Sequence, residues 1–299
     1  MPPGTISSAQ EDRSFIEIER QSDRVARLAH NVALGYLRGF LVVLVVAHHS
    51  VLAYINLPML QAKSLLPQPR YWRAFMVIDH RHSTAFTVFT SFNDIYFMSL
   101  MFFVSGLFVW SSLQRKGNAG FIRDRVRRLG IPFLFAAVVV TPIAYYVPYL
   151  LTTGAHSVAG YVHDWLAFGD WPTGPAWFIW LLLAFDLAAA ALFALAPNFA
   201  EILGGLASNA REHPVRFFLL LVAASAAAYV PLSLVFDRAN WTSIGPFQFQ
   251  TVRLFHYAVY FLAGIGVGAY GIERGLLAPD GKLARHWGRW TLWMVFAFC

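Results

Sequence analysis

Long apolar runs, separated by short polar segments, dominate the chain from about residue 32 onwards. A helix crosses the bilayer core of about 30 Å with about 20 mainly apolar residues. Runs of that length predict six membrane spans, over 32–57, 85–113, 129–151, 175–197, 215–236 and 252–271. A seventh span is predicted to begin near Trp287. The pattern therefore predicts an all-α fold, a polytopic transmembrane helical bundle.

The start of the chain breaks this pattern, because acidic and basic side chains alternate over the first thirty residues. Such a mixture is typical of a solvated segment. We therefore predict a cytoplasmic N-terminal tail over 1–31 and a membrane domain over 32–299. Since Cys299 falls inside an apolar run, we expect the membrane domain to be incomplete at its C-terminal end.

Composition excludes the soluble and the disordered classes of protein. The 299 residues are 58% hydrophobic and 13% charged, whereas soluble domains average about 45–50% apolar and about 25% charged residues. The 16% of aromatic residues also excludes a disordered chain. With Cys299 as its one cysteine, the chain has no intrachain disulfide, and we expect no metal site.

The net charge of +7 is explained by membrane topology rather than by nucleic-acid binding. With the N-terminus inside, sixteen of the 23 Lys and Arg residues fall on inner segments and six on outer ones. Arg38 lies within the first span. Inner segments of membrane proteins carry such an excess, so we predict a multi-pass cell-membrane protein with a cytoplasmic N-terminus.

An arginine and a histidine interrupt the apolar first span. Arg38 and His49 are eleven positions apart, which at about 100° per residue amounts to three turns plus about 20°. They are thus predicted to share one helix face, about 16 Å apart along the axis. His48 is rotated about 80° away from Arg38. An imidazole can take a proton from a hydroxyl, and a guanidinium can bind phosphate or carboxylate, so the pair predicts a polar path through the membrane.

Other spans contribute candidate polar and aromatic residues. Asp94, in the second span, needs a partner, and His49 at similar depth is the one we predict. Ser105, with Gly106, is typical of close helix packing. Trp177 belongs to a group of tryptophans that fits an interfacial aromatic belt. Asp186, Arg253 and His256 are further polar residues at membrane depth.

A basic stretch, predicted to be a loop between the second and third spans, contains Arg125, Arg127 and Arg128. Six Lys and Arg residues lie within 115–128. They form either a positive anchor at the inner surface that also touches anionic lipid, or a clamp for the phosphates of a polyanionic cofactor.

Five short motifs occur in order over about 35–275. They are Arg38-Gly39 with His49, Phe102-Phe103-Val104-Ser105-Gly106, Arg127-Arg128-Leu129-Gly130-Ile131-Pro132, Trp177-Phe178-Ile179-Trp180-Leu181 and Tyr260-Phe261-Leu262-Ala263-Gly264. Together they resemble the signatures of the acyltransferase-3 domain family of polytopic membrane O-acyltransferases. The basic motifs are similar to those of its glucan succinyltransferase branch.

This resemblance implies transfer of an acyl group from cytoplasmic acyl-CoA to a hydroxyl of a carbohydrate or another acceptor. Acetyl-CoA or succinyl-CoA would be the co-substrate, with no permanently bound cofactor. Family members have about ten spans, so about three are expected to be missing here. We expect acyl-CoA, the hydroxyl acceptor and membrane lipid as partners, no nucleic acid, and a bacterial inner membrane as location.

The candidate site residues fall into three groups. The catalytic candidates are His49, the base by family match, and Asp94. The candidates for binding the acyl donor are Arg38, which has this role by family match, and Arg125, Arg127 and Arg128. The supporting candidates are His48, Ser105 and Trp177.

Two other classes of protein use similar residues. A proton-coupled transporter or flippase could employ Arg38, His49 and Asp94 as its pathway, and a structural or sensory protein could use them to pack helices. The sequence shows no internal repeat, which transporters often contain. This absence favours the enzyme.

Overall fold

A computed structural model describes residues 34–56, 79–154, 156–167, 171–237 and 240–298. The predicted tail at 1–31 lies outside these residues. The chain divides into two compact units, Met1–Val46 and Ala47–Cys299. The described part of the first unit is helical, and it contains Arg38. The second unit contains the remaining elements and the other candidate site residues.

In the described part of the chain, six helical segments are long and apolar enough to cross a membrane, which confirms the predicted all-α polytopic class. They are Leu34–Tyr54 (α1), Thr84–Gly106 (α2), Val109–Leu151, Gly174–Leu195, Pro214–Val235 (α9) and Thr251–Tyr270. Their approximate positions follow the predicted spans because the bilayer sets both the length and the apolarity of a crossing helix.

The third segment is one long helix of several pieces. In order these are α3 (Val109–Arg125), a π-helical turn (Val126–Gly130), α4 (Ile131–Phe135), a second π-turn (Ala136–Val140) and α5 (Thr141–Thr153). Each π-turn ends just before a proline, Pro132 or Pro142. Proline lacks an N–H and crowds the preceding turn, and a widened turn accommodates it. The Ala136 carbonyl accepts both the backbone N–H and the hydroxyl of Thr141, the latter at 2.8 Å.

Two sequence predictions are wrong in this region. The second span ends at Gly106 rather than at 113, and the basic stretch 115–128 is helical rather than a loop. The chain turns at Leu107–Phe108 and resumes helix at once. Gly117 alone interrupts α3, with φ +67°, a left-handed conformation that glycine adopts without strain.

Helix α10 (Leu254–Tyr270) packs closely against α2 through glycines. A Cβ added at Gly264 would lie 2.1 Å from the Phe103 carbonyl oxygen, and one at Gly268 would lie 2.1 Å from that of Leu107. Gly106 makes the reciprocal approach to α10, where a Cβ would lie 2.2 Å from the Phe261 carbonyl oxygen. Without side chains at these positions, the two backbones are in direct contact.

Aromatic residues form a layer at one end of the bundle. It joins α6 (Val158–Ala167), α7 (Trp177–Leu195) and a hairpin of β1 (Trp241–Ile244) and β2 (Phe247–Gln250). The Trp171 indole donates to the Ala137 carbonyl (2.7 Å), and the Trp180 indole donates to the Gln248 carbonyl (2.8 Å). These tryptophans therefore donate hydrogen bonds to the backbone and also pack against other aromatic rings. The hairpin was not predicted, and its turn uses Gly245 at φ +57°.

Short helices complete the described chain. They are α8 (Phe199–Ala207), α11 (Lys282–Arg285) and α12 (Trp287–Phe298). Helix α8 packs against α10. Helix α12 begins at Trp287, where the seventh span is predicted to begin, and it has twelve residues in the described part; a seventh span stays a prediction. Cys299 lies outside the described residues.

Candidate functional site

A pair of adjacent histidines lies near the end of α1, within the second unit. The His48 and His49 rings meet edge to face with centroids 5.3 Å apart, and both residues are half-buried. The His48 ring also packs on Phe97 of α2, at 5.2 Å. Its Nδ1 atom is buried and has no hydrogen-bond partner among the described residues. A buried polar atom normally has such a partner, so the described residues leave this nitrogen unsatisfied.

Arg38 lies on the part of α1 that belongs to the first unit, where its side chain is exposed. His49 belongs to the second unit. The shared helix face of Arg38 and His49 therefore stays a prediction from their spacing.

Asp94 of α2 forms an ion pair with Arg253, which precedes α10. The two guanidinium nitrogens donate to the two carboxylate oxygens at 3.3 and 3.0 Å. Arg253 also hydrogen-bonds the buried Tyr257. The sequence predicted His49 as the partner of Asp94; the structure pairs Asp94 with Arg253, and an interaction with His49 stays a prediction. Asp94 also lies close enough to His48 for an electrostatic interaction, so it links the histidine pair to α10.

His256, one helical turn after Arg253, joins three helices. Its Nε2 atom lies 3.0 Å from the Ser99 hydroxyl of α2, and its Nδ1 atom lies 2.8 Å from the Ser225 hydroxyl of α9. Sequence reasoning noted Arg253 and His256 but gave them no role. Their three-residue spacing, which places two polar groups on one face of an apolar helix, was the signal.

A cavity of about 320 Å³ opens beside this network, between α2, α9 and α10. Polar and apolar groups line it together, including Asp94, Ser99, Ser225, Tyr229, Arg253 and His256. Its size falls within the range of small-molecule sites, about 300–1,000 Å³. Among the described residues, no group of three or more His, Cys, Asp or Glu side chains could hold a metal ion.

The basic stretch is divided between inward and outward arginines. Arg125 points to Asp186 of α7, with 3.3 Å between its Nε and a carboxylate oxygen, and Asp186 is fully buried. Arg127 and Arg128 are exposed. Asp186 thus engages Nε of Arg125, while Arg127 and Arg128 face outward, and the clamp formed by the three arginines stays a prediction.

The two remaining supporting candidates have packing roles. Trp177, the first residue of α7, stacks on Tyr257 at 5.8 Å and meets Trp241 at 5.5 Å. It therefore holds the tyrosine that contacts Arg253. Ser105 is half-buried and precedes Gly106 at the close contact with α10, as its packing interpretation predicted.

Removing the Asp186 carboxylate is expected to destabilise the protein strongly. Asp186→Ala leaves the Arg125 guanidinium largely buried without its counter-charge, and breaking a buried pair in this way costs about 3–5 kcal/mol. Thermal unfolding of the purified full chain in detergent measures the loss. The matched control is Asp124→Ala, because Asp124 is partly exposed and pairs with Lys116 and Arg128. Equal melting temperatures for the two variants would contradict the structural role of Asp186.

Together, the membrane-crossing helices and the polar site within them define an integral membrane protein with a histidine-centred site. The sequence model of the acyltransferase-3 family, described as an acyltransferase domain, matches residues 31–299. The chain belongs to this family and is a membrane acyltransferase. No curated protein and no solved structure matches it.

Proposed function

We propose that the protein transfers an acetyl or succinyl group from acyl-CoA to a hydroxyl of a carbohydrate or another acceptor. The observation that carries this proposal is the His48–His49 pair at membrane depth, with a buried, unpartnered imidazole nitrogen on His48. Membership of the acyltransferase family supplies the reaction class. The site supplies a base where a hydroxyl and a thioester could meet.

The chemistry needs one base and no metal ion. The acceptor oxygen attacks the thioester carbonyl carbon, so a C–O ester bond forms while the C–S bond breaks. His49 takes the hydroxyl proton, which then passes to the CoA thiolate. His48 packs edge-on against the His49 ring and restrains it. Asp94 is paired with Arg253, and the part of its negative charge that acts on the neighbouring His48 favours an imidazolium in the histidine pair during transfer.

Arginines are proposed to bind the acyl donor. CoA carries several phosphate charges, and Arg127 and Arg128 are exposed at the second predicted inner segment. Arg38, on the predicted His49 face of α1, would contact the donor nearer the thioester. Arg–phosphate contacts are among the stronger hydrogen bonds. Arg125 would fix the basic helix to α7 through Asp186 rather than contact the donor.

The proposed setting is the bacterial inner membrane, with the N-terminus in the cytoplasm. The excess of Lys and Arg on alternate segments supports this orientation. Acyl-CoA would then reach the basic helix from the cytoplasm, and the acceptor would enter from the opposite side.

Consumption of labelled acetyl-CoA and succinyl-CoA by membranes that contain the full chain tests this proposal. We expect release of CoA above that of matched membranes without the protein, with one donor preferred. Proton-dependent solute uptake without release of CoA from either donor would contradict the enzyme and favour the transporter.

Arg38→Ala is expected to raise the KM for acyl-CoA about tenfold or more. This estimate follows from the ~1.5–3 kcal/mol of a hydrogen bond to a charged group. The control is Arg285→Ala, which removes an exposed arginine on α11. Equal KM values for the two variants would show that Arg38 does not bind the donor.

A further inference from the structure

The cavity between α2, α9 and α10 is lined by both hydrogen-bonding and aliphatic groups. Ser99, Ser225 and Tyr229 contribute hydroxyls, whereas Val222 and Val230 are among its apolar residues. A site with a few placed polar groups in an apolar cavity is typical of small-molecule recognition.

The serine hydroxyls of this cavity are already part of a hydrogen-bond network. Ser99 and Ser225 occupy both ring nitrogens of His256, at 3.0 and 2.8 Å, and Tyr260 hydrogen-bonds Ser225. A hydroxyl group both donates and accepts. A ligand hydroxyl can therefore join this hydrogen-bond network as a donor or as an acceptor, whereas a carboxylate can only accept a hydrogen bond.

The charged groups of the cavity neutralise each other. Arg253 donates to both oxygens of Asp94, and these two are the residues of the cavity lining that carry fixed charges. An anionic ligand would have to compete with Asp94 for the guanidinium, and a cationic one would have to compete with Arg253. An uncharged ligand can bind without displacing either partner of the Asp94–Arg253 ion pair.

We propose that this cavity binds an uncharged polyhydroxy compound, the acceptor of the acyl group. The role as acceptor site rests on the acyl transfer proposed above. His256 acts as a positioning residue, because it fixes the two serine hydroxyls that receive the ligand. Asp94 sets the charge preference of the site.

A cavity-filling substitution tests the location of the site. Ala226 lines the cavity on α9, and Ala224 lies about 200° away around the same helix. We expect glycerol, D-glucose or maltose to bind the full chain in nanodiscs saturably, measured by isothermal titration calorimetry. Ala226→Phe is expected to weaken this binding at least tenfold, and Ala224→Phe to leave it unchanged.

Two results would overturn the site. One is saturable binding of none of the three compounds. The other is equal binding to both phenylalanine variants, as when a lipid tail fills the cavity and the sugar binds elsewhere.

The charge preference has its own test, with D-glucose and D-glucuronate as a pair that differs in one carboxylate. The wild-type chain is expected to bind D-glucose more tightly. Asp94→Asn removes the counter-charge of Arg253 and should shift the binding ratio at least tenfold towards D-glucuronate. An unchanged ratio would contradict the proposed role of Asp94.

Failure of this inference and failure of the proposed function are distinguishable. The binding measurements contain no acyl-CoA, so they report on the cavity alone. In transfer assays, the compound that binds should accelerate CoA release, and Ala226→Phe should raise its KM more than the KM for acyl-CoA. If none of the compounds that bind changes the rate of CoA release, the acceptor role is overturned, while acyl-CoA consumption itself stays established.

Discussion

Replacing His49 with alanine is expected to abolish acyl transfer while leaving acyl-CoA binding intact. The imidazole is proposed to take the proton of the attacking hydroxyl, and a positioned base contributes about 10²–10⁴-fold to such reactions. His49 is not proposed to contact the phosphates of CoA. The rate of CoA release and the binding of labelled acyl-CoA, measured on the same preparation of the full chain, separate these two effects.

The matched control for this experiment is His286→Ala, because His286 is an exposed histidine between α11 and α12. Its replacement should change neither quantity. A transfer rate in His49→Ala equal to that of the wild-type chain would remove His49 from the mechanism. Loss of binding together with transfer would instead assign His49 to the donor site.

Alanine at Gly264 or Gly268 is expected to destabilise the bundle by about 3 kcal/mol or more. Each new Cβ would lie 2.1 Å from a carbonyl oxygen of α2, and this atom belongs to backbone, which cannot rotate away. Overpacking alone costs about 1–3 kcal/mol, and here whole helices must separate. Thermal unfolding of the full chain in detergent measures the effect.

Gly205→Ala provides the comparison for these glycine variants. Gly205 lies in α8, and nothing lies within 4 Å of its added Cβ. Because alanine is the better helix former by about 1 kcal/mol, this variant should be unchanged or slightly more stable. Melting temperatures that fall equally in all three variants would show that close contact between α2 and α10 is not what the glycines provide.

The sequence predicted the spans well because a bilayer imposes length and apolarity locally. It failed at 115–128, where basic residues indicated a loop. There the helix continues, and Arg125 forms an ion pair with Asp186, 61 positions further along the chain. Widened turns accommodate Pro132 and Pro142 in the same long helix. Partners so distant in sequence leave no periodic signal.

The polar residues of the site were found from sequence, since ionisable groups inside an apolar span are conspicuous. Their pairing was not. Asp94 was assigned to His49 by similar depth, but depth alone does not say whether α10 also lies against α2. The glycines that bring α10 against α2 decide that, and they place Arg253 and His256 beside Asp94 and Ser99. The hairpin β1–β2 was missed because its strands have four residues each.

The contacts between α2 and α10 also fix which ends of the helices share a side of the membrane. Along α2, the residues Asp94, Ser99, Phe103 and Leu107 meet, in the same order, Arg253, His256, Gly264 and Gly268. The two helices are therefore parallel, and an odd number of crossings must separate them, as the three intervening spans provide. It follows that the hairpin lies on the side where α2 begins, and the basic helix on the side where α2 ends. The aromatic and basic ends of the bundle are thus on opposite sides of the membrane, whichever of them faces the cytoplasm.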